Sequence, residues 1–161
     1  MTDHEQIRTV VYRYARAIDR RDFDSVRSCY HADATDDHGD YRGDVDGFIE
    51  FVREQLARWS VTSHFIGNVL MEIDGDRARV ESYAHVTHRG LPRPDGSVRD
   101  LTSGVRYVDD FERREGEWRI AARVVVNDCN RVTLITHESS LAPTNYTRPL
   151  PFPDDPVYRP T

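Results

Sequence analysis

The sequence predicts an α+β domain, with helices first and an antiparallel β-sheet after them. Two observations carry this. Up to Trp59 the apolar residues recur at helical spacing, and beyond it they fall into long runs broken by Asp-Gly and Glu-Gly turns. The 161 residues suffice for one domain with a real core and are too few for two comfortable ones.

Ile7, Val10, Val11, Tyr14 and Ile18 share one helical face, with Asp3 as the expected N-cap and Gln6 three residues on. Phe23, Val26, Cys29 and Tyr30 fit a short second helix capped by Asp22. HADATDDHGDYRGDVDG reads as an acidic, turn-rich loop. Phe48, Ile49, Val52, Leu56 and Trp59 then mark a third helix. TSHFIGNVLMEI and ARVESYAHVTH read as two strands joined at an Asp-Gly turn. GLPRPDGS is a loop, after which LTSGVRYVDDFERR and WRIAARVVVND form a second hairpin closed by REGE. Most of the eight prolines lie from Pro143 onward. The expected division is therefore a domain over residues 1–135 and a Pro-rich, extended tail over 136–161, lying on a surface or a neighbouring subunit and forming no element of its own.

Composition narrows the function. With 38% hydrophobic and 31% charged residues the chain reads as a soluble globular protein. Its net charge of -6 argues against nucleic acid or an anionic membrane as partner. No apolar run approaches the roughly 20 residues that span a bilayer, and MTDHEQIR has no secretory pattern. Cys29 and Cys129 stand in no metal or redox spacing, so the expectation is a cytoplasmic protein with two free, mostly buried thiols.

His4, His31, His38 and His137 fall in predicted termini or loops, where solvation explains them. His85 and His88 resemble an H-x-x-H metal pair, yet strand residues three apart point to opposite faces. His85 then faces outward, and the direction of His88 stays open. An EF-hand starting at Asp36 would need glycine and glutamate where Tyr41 and Gly47 stand. His64 is different, because it lies between an apolar helix and an apolar strand, where a histidine is either satisfied by backbone or used. Asp19 follows directly on Ala17 and Ile18, as a helix-end residue or as a buried acid–base group. Arg123, Val125 and Asn127 share one strand face, which suits an apolar cavity with a few polar anchors and would suit a solvent-facing side almost as well.

Taken in order, HADAT, TSHFIGNV, IDGDRARVESYAHV and FERREGEWRIAAR resemble a SnoaL-like protein of the nuclear transport factor 2-like superfamily. That superfamily is an α+β cone with N-terminal helices packed on a curved antiparallel sheet around a pocket. The resemblance covers about residues 4 to 130 and is nearest to the cofactor-independent branch of scytalone dehydratase, bile-acid 7α-dehydratase and hexachlorocyclohexane dehydrochlorinase. It implies a base pair of Asp19 with His64, and Tyr14 stands at the bile-acid enzyme's tyrosine spacing, five residues before the aspartate. Trp118 to Arg123 reproduces a five-residue spacing of the dehydrochlorinase, whose lysine position holds Tyr14 here. Asn127 falls about where scytalone dehydratase has a pocket asparagine, and His88 lies near that enzyme's second histidine. A second pocket acid of the bile-acid enzyme falls near Val86.

The resemblance thus implies a lyase or isomerase without metal or organic cofactor. Its catalytic set would be His64, Asp19, Tyr14 and Arg123, with Asn127, His88, Val125, Val86 and Trp59 around a small cyclic, polyketide- or steroid-like substrate. Asp19 would fix the His64 tautomer and leave the other ring nitrogen as base. Alternatives within the superfamily are the non-catalytic small subunit of a ring-hydroxylating dioxygenase, whose pocket would be filled by side chains, and a polyketide cyclase or epoxide hydrolase. A homo-oligomer is implied, trimer before dimer.

Overall fold

The computed structural model describes residues 1–136 and 146–159. Helix α1, Asp3–Arg20, is followed by α2, Phe23–Ser28, strand β1, Tyr30–Asp37, strand β2, Arg42–Asp44, and helix α3, Val45–Leu56. Four long strands complete the domain: β3, Trp59–Asp74; β4, Arg77–Gly90; β5, Val98–Arg114; and β6, Glu117–Ile135. All six strands form one sheet in the order β2-β1-β6-β5-β4-β3, a few helices packed on a curved sheet as in the cone expected from the sequence.

Local chemistry sets the boundaries. Thr2, not Asp3, caps α1: its side chain accepts from Glu5 N–H, and Glu5 returns a bond to the Thr2 backbone. Asp22 caps α2 and Asp44 caps α3. The β5–β6 turn places Glu115 and Gly116 at φ 53° and 82°, a left-handed pair that a glycine at the second position makes tolerable.

Several expectations are corrected. The acidic segment is not a loop throughout, because it contains β1 and β2. β1 runs parallel to β6, so the sheet is mixed rather than wholly antiparallel. Its alternation is hidden by aspartates that sit at both its solvent and its buried positions. Helix α3 stops at Leu56, and Trp59 opens β3 instead of closing a helix. His31 is buried with Nε2 2.9 Å from the Glu112 carbonyl oxygen, and His38 pairs with Asp36, so neither is simply solvated. His137 lies outside the described residues. Cys29 is buried as expected, but Cys129 is exposed. The tail carries a 3-10 turn at Pro156–Tyr158 and docks on its own chain: Phe152 N–H donates to Arg20 O at 2.6 Å, and Arg20 pairs with Asp155 at 3.0 Å.

Bulges decide which side chains face the helices. In β3 one extra residue at Gly67–Asn68 shifts the inward set from Thr62, His64 and Ile66 to Val69, Met71 and Ile73. In β6 the extra residue is Ala121, so Trp118 and Ile120 point inward before it, and Arg123 and Val125 after it. The odd Trp118–Arg123 spacing is compatible with one shared face only because of that bulge.

Candidate active site

Between α1, α3, the β1–β2 loop and the concave face of the sheet lies a cavity of about 350 Å³. That volume is ordinary for a small-molecule site. Apolar walls come from Ile18, Phe51, Val52, Leu56, Leu101 and Val105. Of the residues singled out in the sequence, Tyr14, Trp59, His64, Val86, His88, Val125 and Asn127 all line it.

Asp19 stands behind His64. Being near the C-terminal end of α1, its carboxylate reaches β3 and is held twice there. Oδ1 lies 2.7 Å from His64 Nδ1, and Oδ2 accepts the His64 backbone N–H at 2.9 Å. Both side chains are largely buried, at 13% and 9% exposure. A carboxylate only accepts, so Nδ1 carries the proton in the neutral ring and Nε2 is left as the free lone pair.

His88 faces the cavity through the unbroken alternation of β4. Its Nδ1 lies 2.8 Å from Thr62 Oγ1, and its ring stacks on Trp59 at 5.1 Å between centroids. It meets the His64 ring edge-on at 6.0 Å. Burial, and next the neighbouring His64, push its pKa down to about 4, so it is a neutral ring at pH 7. Burial likewise raises the Tyr14 pKa well above the ordinary phenol value, with Arg123 opposing, so Tyr14 is a hydrogen-bond donor rather than a base.

The structure does not bring Arg123 to the cavity wall. Its side chain is wholly buried one layer below, in a two-pronged pair with Asp109 at 2.7 Å for each bond. The guanidinium stacks 4.0 Å from the Tyr14 ring centroid and 4.3 Å from that of Tyr107. Burial is the largest single influence and opposes its charge, yet the favourable contributions, led by Asp109, together hold the pKa well above the usual arginine value. Arg123 thus supports the tyrosine floor of the cavity from beneath. Asn127 is at the rim, donating to Asn130 Oδ1 at 3.0 Å, and Ser103 donates to the same oxygen at 2.6 Å.

Sequence reasoning missed His38, Gln55, Ser103 and Tyr107 in the lining. For Ser103 and Tyr107 the signal was available, as they alternate with Val105 along β5. For His38 it was the two-residue period Ala34, Asp36, His38, obscured by its acidic neighbours. Among the described residues, no group of three or more His, Cys, Asp or Glu side chains is disposed to hold a metal ion.

Comparison with known proteins agrees with this architecture. An uncharacterised protein of Mycobacterium tuberculosis is 31% identical over 132 residues, covering 77% of this chain and 84% of its own. A protein from Kribbella flavida superposes with a TM-score of 0.72 at 20% identity, over 80% of this chain and 93% of the other. The hexachlorocyclohexane dehydrochlorinase LinA-type3 from Novosphingobium barchaimii superposes with a TM-score of 0.70 at 17% identity, over 87% and 94%. A candidate scytalone dehydratase from Novosphingobium aromaticivorans gives 0.70 at 16% identity, over 91% and 95%. These levels of identity establish a shared fold. Residues 1–124 match the SnoaL-like domain, and the chain belongs to the SnoaL-like family.

Proposed function

We propose that the protein is a cofactor-independent lyase or isomerase that removes a proton next to a carbonyl in a small cyclic, polyketide- or steroid-like compound. The observation that carries this is the Asp19–His64 pair, with one carboxylate holding both the ring and the backbone of a histidine in the wall of an unfilled apolar cavity. His64 Nε2 takes the proton. Asp19 keeps the ring in the tautomer that leaves Nε2 unprotonated and stabilises the imidazolium that forms. Tyr14 and neutral His88 donate to the developing enolate oxygen, each preorganised donor being worth about 3 kcal/mol. Arg123 acts through Tyr14, its charge beneath the ring making the phenol a better donor.

The unfilled cavity favours this reading over a non-catalytic subunit, in which side chains would occupy the space. Dehydratase and dehydrochlorinase neighbours of the same fold support an elimination, although the chemistry here rests on the dyad.

The test follows α-proton exchange of cyclohexanone in D2O by proton NMR. The wild type is expected to accelerate it, and His64→Gln and Asp19→Asn to lower that rate by about 10²-fold or more. The His64 ring ¹⁵N shifts should report Nδ1–H in the wild type and a tautomer mixture in Asp19→Asn. Full exchange activity in His64→Gln sinks the assignment.

A further inference from the structure

The cavity holds a second carboxylate–imidazole pair, which the Asp19–His64 reading leaves without a role. Asp36 is buried at 1% exposure, in a strand position pointing away from solvent. Its Oδ1 lies 2.7 Å from His38 Nδ1, and its Oδ2 accepts the Tyr30 hydroxyl at 2.7 Å. Burial raises the Tyr30 pKa well above the ordinary value, so that hydroxyl stays a donor to Asp36. The His38 ring is clamped from the side as well, stacked on Phe48 at 4.7 Å and 29°. With Nδ1 engaged, the remaining ring nitrogen is Nε2, and His38 is part of the cavity lining. Its side chain is 23% exposed, so solvent reaches the ring while the Asp36 carboxylate stays dry.

Topology sets the two pairs against each other. Three strands, β6, β5 and β4, separate β1 from β3. His64 enters from the β3 wall and His38 from the loop after β1, and the curl of the sheet brings both to one cavity. Two imidazoles, each held through Nδ1 by a carboxylate, thus line one cavity from strands that lie four places apart in the sheet.

We propose that His38, oriented by Asp36, is the general acid of the site and that the leaving group is therefore a hydroxyl. This rests on the lyase reading above and narrows its substrate class to β-hydroxy carbonyl compounds. The His64 Nε2 lone pair takes the α-proton, and the C–H electron pair becomes the new C=C bond. The C–O bond breaks towards oxygen, which takes the proton of the His38 imidazolium and departs as water. His64 gains one proton and His38 loses one, and exchange with solvent restores both. Hydroxide is too basic to leave unaided, whereas a halide or a nitrophenolate needs no acid. The second pair has work to do only for the poor leaving group.

The experiment compares two probes, 3-hydroxycyclohexanone and 3-(4-nitrophenoxy)cyclohexanone, which give cyclohex-2-enone by loss of water or of nitrophenolate. His38→Asn keeps an N–H for Asp36 and removes the nitrogen on the cavity side. It is expected to lower the water-loss rate by about 10²-fold or more and leave the nitrophenolate rate within about threefold. Thermal unfolding certifies the fold, with His38→Gln as the second variant if His38→Asn does not fold. Equal losses on both probes in a folded variant, no loss on either, or a wild type inert towards the hydroxy ketone would overturn the assignment. His64→Gln should lose both rates. If it keeps both, the base reading fails while the contrast at His38 still stands or falls by itself.

Discussion

Among the individual side chains, His88 ties stability to pH most directly. Its folded pKa lies at about 4, below the ordinary 6.5, because burial and His64 disfavour its charge. Between those values the unfolded chain binds more protons than the folded one. The contribution of His88 is therefore complete above about pH 6.5 and is lost as pH falls towards 4. After allowance for the partial exposure of the ring, wild type should lose about 1 kcal/mol more than His88→Gln between pH 7 and pH 5. Urea unfolding of the two proteins at both values measures it, and equal losses would mean that the ring is charged in the folded state. The residues best read from sequence were those whose type clashed with their neighbourhood, such as His64 in an apolar run and Asp19 after Ala17 and Ile18. His38 escaped because it is surrounded by residues of similar polarity, and nothing local distinguishes a buried Asp36 from its solvated neighbour Asp33.

At the level of elements, the site depends on where α1 ends. The helix supplies Tyr14 and Ile18 to the cavity and Asp19 to His64, and Arg20 is gripped by the tail through Phe152 and Asp155. Pro149, Leu150 and Pro151 lie in the same crevice as Asp19, Ser60 and Thr62, on the side of the dyad away from the cavity. Asp155→Ala removes the ion pair and the acceptor of the Leu150 and Val157 backbone bonds. It should speed amide exchange at Arg21 and Asp22, whose N–H groups close the helix, without changing exchange in β5. Uniform exchange rates in the two proteins would show that the tail does not brace the helix. The helices and the long hairpins were legible from periodicity and turn chemistry. The strand pair β1–β2 was not, since β1 owes its place to a parallel partner some 90 residues away, and no local pattern encodes that.

For the molecule as a whole, the central fastening is the Arg123–Asp109 pair. It joins neighbouring strands β6 and β5 beneath rings from α1, β1 and β5: Tyr14, Tyr30 and Tyr107. Removing one partner leaves the other charge buried and unpaired. Asp109→Leu or Arg123→Met alone should therefore cost about 3–5 kcal/mol, and the double variant much less than their sum. Chemical denaturation of the three variants checks this, and simple additivity would show that the two charges do not depend on each other. The sequence placed Arg123 on the correct face, but its distance from the cavity depends on packing that strand alternation does not reveal. The α+β cone was legible because the order of elements and their turn signals agree with one another.

The bulge at Ala121 has a consequence for how relatives of this chain are to be compared. One extra residue there exchanges the inner and outer faces of the stretch from Ala122 to Asn127, until a second extra residue at Asp128 restores the earlier alternation. A relative without that residue must keep the counterparts of Trp118 and Arg123 an even number of positions apart to hold both inside. A one-position gap at this point of an alignment thus records a change of face, and closing it to gain a few identities would match cavity residues with surface ones.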